Sequence, residues 1–183
     1  MDEKYIILII LGILILIVAL WYITTLNKLN TLLIKIDESF SGIDVALSKR
    51  YNALTQMIEV VKAYAKHEKE ILFEVVELRN NMSLKEKVEA NYIMDENFEK
   101  INAIVENYPE LKASRNYMTL QKTIVDVEEH LQAARRFYNS NVSLYNQQIV
   151  SFPSSIVSKN KGMVKKDFFE ADEIQKSRVD ISL

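Results

Sequence analysis

From Tyr5 to Asn27 the chain reads YIILIILGILILIVALWYITTLN, without a single charged residue. A helix rises about 1.5 Å per residue, so about 20 apolar residues cross the roughly 30 Å hydrocarbon core of a bilayer. This run is long enough. Trp21 and Tyr22 stand near one end, where amphipathic rings favour the interface, and Lys4 and Lys28 bracket the span. A cleaved signal peptide would carry a shorter apolar core, about 7–15 residues, closing on a small-x-small site. Here the run leads into Trp-Tyr-Ile-Thr-Thr-Leu-Asn, which predicts an uncleaved anchor. Lys4 is alone before the span, whereas Lys28 and Lys35 follow it closely, with Lys49 and Arg50 further on. By the positive-inside rule this narrow bias places the short N-terminus outside and the remainder in the cytoplasm.

Beyond the anchor the apolar residues recur as Leu26, Leu29, Leu33, Ile36, Phe40, Ile43, Leu47, Tyr51, Leu54, Ile58 and Val61. Alternating steps of three and four mark one buried stripe on a helix. No proline interrupts it, so the anchor is expected to continue unbroken out of the bilayer, with a weak point at Gly42. Only three glycines and two prolines occur in 183 residues. Sandwiches and barrels need many turns rich in such residues, so a few long helices are expected instead.

The stretch from Ala65 to Asn81 reads as a second unit, charged at its start and carrying a short apolar face of Ile71, Val75 and Leu78. Ser83-Leu84-Lys85-Glu86 matches a capping box and sets a helix start. Its stripe is expected through Val88, Tyr92, Phe98, Ile101, Ile104 and Val105. Pro109 disfavours helix in the residue before it, so this helix should stop before Asn107-Tyr108-Pro109. Ser114 is the next candidate N-cap. A long seam comes next: Tyr117, Leu120, Ile124, Val127, Leu131, Ala134, Tyr138, Val142, Tyr145, Ile149 and Phe152, closed by Pro153. The expected architecture is all-α: a transmembrane helix continuing into an antiparallel up-and-down helical bundle. Three regions result: 1–27 as tail and anchor, 28–153 as bundle, and 154–183 as a polar, loosely ordered tail.

Catalytic templates fail. There is no cysteine, which excludes thiol catalysis and thiolate metal sites. Three residues before His67 stands Tyr64, and three before His130 stands Val127, so neither completes the Glu-x-x-His of dinuclear-metal bundles. His67-Glu68 is followed by Lys69-Glu70-Ile71, not the second histidine of a zinc protease. Phosphate loops and Gly-x-Ser-x-Gly elbows are absent. No catalytic, cofactor-binding or metal-binding residue is therefore expected. A net charge of -2 offers no basic surplus for nucleic acid.

Three clusters remain. Lys66, His67, Glu68, Lys69 and Glu70 read first as a solvated connector, and as function a partner-docking turn. Glu128-Glu129-His130 with Arg135-Arg136 reads as a solvated helix face with local ion pairs, worth about 0.3–0.5 kcal/mol each. Lys159, Lys161, Lys165 and Lys166 precede Phe168-Phe169 and could meet an anionic membrane face, where a lysine contributes about 1 kcal/mol. Two Tyr-Asn pairs, Tyr138-Asn139 and Tyr145-Asn146, lie seven residues apart on the last seam. The tyrosines should pack in the seam, and the asparagines should lock helix register through a neighbouring helix.

Seven stretches stand in order along the chain: Arg50-Tyr51-Asn52, Val60 to Glu70, Tyr108 to Ala113, Ala134 to Asn139, Tyr145-Asn146, Phe152-Pro153-Ser154 and Phe168-Phe169-Glu170. Together they resemble the LemA family of bacterial membrane proteins. The resemblance implies an N-terminal transmembrane helix with its short end outside, an antiparallel helical bundle, and no established biochemical activity or catalytic residues. Ala63 departs from a usual glycine, and Met82 to Asn97 is atypical of the family. The resulting expectation is a non-enzymatic interaction or scaffold module at the cell envelope, in contact with the bilayer and with unidentified protein partners. The alternative is a membrane-surface or membrane-shaping factor acting through the lysine-rich tail.

Overall fold

A computed structural model describes residues 3–65, 73, 74, 76, 78, 79 and 81–169. The described residues form five helices and no strand: α1 (Glu3–Tyr64), α2 (Leu84–Glu106), α3 (Pro109–Lys112), α4 (Arg115–Val150) and α5 (Ser154–Asn160). The chain divides into two compact units, one of 1–39 with 139–168, the other of 40–138 with 169–183.

The first unit holds the anchor. Every residue from Tyr5 to Leu20 is exposed, as a lipid-facing surface requires, and α1 is apolar and long enough there to cross a membrane. Burial begins at Thr25 and Leu29. The end of α4 supplies Val142, Tyr145 and Ile149 to this core, and Asn141 Nδ2 donates to the Lys35 carbonyl at 3.3 Å. Helix α4 stops at Val150, two residues before the expected end of the seam. Phe152 therefore leaves the helical register and is 83% exposed, against its expected place in the seam.

Residues 154–160, expected in a loosely ordered tail, form α5 instead. Polar side chains hold it: Ser158 Oγ donates to the Ile149 carbonyl at 2.7 Å, and Ser154 Oγ donates to the Gln148 carbonyl at 2.6 Å. Such serine bonds carry no apolar periodicity, so composition alone suggests a tail. The helix ends in a Schellman motif. Met163 N–H reaches the Ser158 carbonyl at 2.9 Å, Gly162 N–H reaches the Lys159 carbonyl at 3.1 Å, and Gly162 takes φ 63°.

In the second unit the legs alternate in direction. Lys87 and Asn91 of α2 meet Asp44 and Arg50 of α1 in the same order, so these helices run parallel there. Tyr117 Oη of α4 pairs with Asn102 of α2, and Glu128 of α4 with Arg50, so α4 runs antiparallel to both. Between α1 and α2 the chain runs back as a non-helical leg in its described residues. Asn97 clamps Glu74 from α2, accepting from its N–H at 3.0 Å and donating to its carbonyl at 2.8 Å. These bonds occupy backbone groups that a helix would use, so the apolar face expected from 71 to 78 is not helical at Phe73, Glu74, Val76 or Leu78. Ile71 and Val75 lie outside the described residues.

The α2 start is as expected. Ser83 N–H donates to Glu86 Oε2 at 2.7 Å, and Glu86 N–H donates to Ser83 Oγ at 3.3 Å. Glu86 is held below the ordinary glutamate range by the Ser83 backbone and side-chain hydrogen bonds. Helix α2 ends at Glu106, Pro109 opens α3, and Ser114 Oγ caps α4 by accepting from Tyr117 N–H at 3.3 Å. The buried face of α2, however, is Lys87, Ala90, Asn91, Met94, Asn97, Ile101 and Val105. Val88 and Tyr92, expected in the stripe, are only half-buried. Three polar residues occupy the inner face because each finds a partner there.

Candidate functional site

Arg50 is the centre of that inner polar face. It comes three positions after Leu47 and precedes Leu54 by four, so the α1 stripe carries it inward. It is 4% exposed. Its Nη1 donates to Asn91 Oδ1 at 2.6 Å and to the Asn91 carbonyl at 3.3 Å. Its Nη2 pairs with Asp95, and with Glu128 Oε2 at 3.1 Å. Asn91 Nδ2 in turn donates to Asp95 Oδ2 at 3.1 Å. One guanidinium thus ties α1, α2 and α4 together, and its fork geometry suits two carboxylates at once.

A second buried cation lies nearby in the same unit. Lys87 is 1% exposed, with Nζ 2.6 Å from Asp44 Oδ1 and 3.2 Å from the Phe40 ring centroid. Phe40 packs at 5.6 Å on Tyr138, so that tyrosine does lie in packing contact. Both cations are paired across helices.

Above Arg50 an open groove of about 920 Å³ runs between α2 and α4. Phe98, Ile124 and Val125 make its apolar part. Asp95, Asp126, Glu128 and Glu129 outnumber Arg50 and Arg136 on its lining by two charges. His130 also lines it, while serine, threonine and cysteine are missing from the lining. An arginine cannot give up its proton in a protein, so the central group positions charge and is no acid or base. Among the described residues no group of three or more histidine, cysteine, aspartate or glutamate side chains converges as metal ligands would.

The sequence-predicted residues fall in different places. Lys66, His67, Glu68, Lys69 and Glu70 lie outside the described residues. Lys159, Lys161, Lys165, Lys166 and Phe168 are exposed. Phe169 is not: it is 3% exposed, with the Arg135 guanidinium carbon 5.0 Å from its ring centroid. Burial under a cation removes Phe169 from any lipid contact. Glu128 is no local surface pair either, since it reaches Arg50 across the unit. Asn146 bonds the backbone of Lys166, donating to its carbonyl at 2.8 Å and accepting from its N–H at 2.9 Å. Asn141 makes a bond of the expected kind, to the backbone of the neighbouring helix α1. Arg50 has one sequence signal, a charge inside an apolar stripe, and its partners lie too far along the chain for spacing to show.

The family profile of LemA matches residues 39–183, which takes in the Arg50 network, the groove and the α5 region. This chain belongs to the LemA family. It is 27% identical to Protein LemA of Metamycoplasma hominis over 92% of this chain and 80% of that protein. Shorter matches join it to magnetosome proteins: MamQ 2 of Paramagnetospirillum magneticum, 25% identical over 39% of this chain, and MamQ of Magnetospirillum gryphiswaldense, 26% identical over 38%. Each covers about a quarter of that relative, at 26% of its length. With its exposed apolar N-terminal span, this LemA family member is a membrane protein.

Proposed function

We propose that this LemA family protein is a membrane-anchored interaction module, not an enzyme, and that its second unit docks a protein segment in the groove over Arg50. The observation that carries the reading is that groove itself: an apolar strip of Phe98, Ile124 and Val125 beside four acids, of which Asp95 and Glu128 pair with a buried guanidinium. Its charge complements a basic segment with an apolar face, such as an amphipathic helix. A lining without hydroxyl or thiol nucleophiles supports binding over covalent chemistry. The lysines after the span favour a cytoplasmic position for this unit, with the N-terminus outside. The charged residues Lys66 to Glu70 contribute to docking in this proposal.

Charge reversal tests it. Asp126 and Glu129 are exposed and make no contact with Arg50 in its network. Asp126→Lys/Glu129→Lys is expected to leave the melting temperature unchanged and to abolish recovery of a specific partner crosslinked in native membranes. Equal recovery with both proteins would refute groove docking.

A further inference from the structure

A hydrogen bond joins the anchor to α5. Asn160 Nδ2, at the end of α5, donates to Tyr22 Oη at 2.9 Å. Tyr22 sits beside Trp21 where the uninterrupted exposure of the span ends. Counting from Tyr5 at about 1.5 Å per residue, roughly 30 Å of hydrocarbon is crossed at Trp21 to Thr25. Aromatic rings with one polar end settle at that depth. The bond therefore holds the end of α5 at the level of the lipid headgroups.

Residues 161–168 are held in place, and they are basic. Gly162 turns it through the Schellman motif. Asn146 then holds the Lys166 backbone from both its N–H and its carbonyl. On this frame Lys159, Lys161, Lys165 and Lys166 are all exposed, and Asp167 is the sole acid among residues 154–168. Val164 (69% exposed) and Phe168 (40% exposed) interleave apolar surface with the lysines. A membrane interface rewards both parts of such a mixture: lysine stems lie along acyl carbons while their ammonium groups reach phosphate.

We infer that α5 and residues 161–168 form a binding edge for anionic phospholipid headgroups in the leaflet that receives the Tyr22 end of the anchor. The partner is the bilayer itself, which the anchor brings within reach whichever way the protein is oriented. It does not depend on the groove: the two surfaces use different residues and different partners. A lysine near an anionic surface strengthens binding about fivefold, so the four together strengthen it roughly 600-fold.

The chain has no native cysteine, so a label can be placed cleanly. The full-length protein carrying Val164→Cys, labelled with a polarity-sensitive fluorophore, is placed in nanodiscs of phosphatidylcholine alone or mixed with phosphatidylglycerol. The emission is expected to shift to the blue only with phosphatidylglycerol. Changing Lys159, Lys161, Lys165 and Lys166 to Gln should erase that difference; the backbone bonds of Lys166 to Asn146 survive the change. Four exposed lysines elsewhere, Lys49, Lys100, Lys112 and Lys122, changed to Gln should leave it intact. Equal emission in both lipids, or an unaltered response in the first quadruple variant, overturns the inference. So does a blue shift produced in neutral nanodiscs by inorganic phosphate alone, which would assign the lysines to a free anion.

Discussion

Replacing Arg50 with Met should weaken the second unit more than any single surface change. The guanidinium makes four polar contacts, to the Asn91 side chain and carbonyl, to Asp95 and to Glu128. Removing one partner of a fully buried ion pair costs about 3–5 kcal/mol. Two features reduce that here. The Asp95 and Glu128 side chains are 41% and 35% exposed, so water takes up part of their charge once Arg50 is gone. Met also keeps the unbranched stem and leaves little cavity. A loss of about 2–3 kcal/mol remains, equivalent to roughly 5–10 °C in melting temperature for a chain of this size. Thermal unfolding of the detergent-solubilised protein, monitored by circular dichroism, measures it. Arg50→Met/Glu128→Gln should be less destabilised than the two single changes summed, because the uncompensated carboxylate is removed as well. A melting temperature within about 2 °C of the parent, or strict additivity, would refute the argument that one buried cation joins the three helices.

The same hydrogen bonds and burial fix several other outcomes. Glu86 has a depressed folded pKa, so its capping contribution is complete above the ordinary glutamate range and is lost as pH falls through the lower folded value. Ser83→Ala should lower the melting temperature by a few degrees at neutral pH and flatten the acid limb, read from melts across the acid range. Burial raises the Tyr145 phenol above its ordinary value, so the stability it contributes is present below about pH 10 and lost as pH rises through the raised folded value. Tyr145→Phe should reduce that alkaline loss. Asn146→Ala should free the backbone at Lys166 and quicken proteolysis after Lys165 or Lys166, with little change in melting; an unchanged cleavage rate would contradict the two-point bond. Phe152→Ser should melt within a degree or two of the parent because the ring is 83% exposed.

Local chemistry is legible in the sequence. The Ser83 box, the Ser114 cap and the α4 seam from Tyr117 to Ile149 each depend on residues within a few positions of one another, and each stands where the spacing places it. Illegible features depend on distant partners. The inner face of α2 is turned by about one residue from its apolar stripe because Lys87, Asn91 and Asn97 are satisfied by Asp44, Arg50 and Glu74. Nothing within α2 announces those partners. The non-helical leg at Glu74 is hidden for the same reason: its backbone is held by a side chain 23 positions away. Helix α5 is short and serine-held, and Arg135 hides Phe169 through a contact between distant parts of the chain. The groove over Arg50 resembles an exposed charged face because Glu128 and Arg136 look like local pairs when only their spacing is considered.

The docking claim is tested most directly from inside the groove. Val125 is 54% exposed on its lining, so a photo-crosslinking amino acid placed there lies within reach of any bound segment. In native membranes the account predicts one dominant adduct, mapped by mass spectrometry to a basic amphipathic segment and lost in Asp126→Lys/Glu129→Lys. Adducts that are diffuse, that map to acidic or neutral segments, or that survive the charge reversal would contradict it.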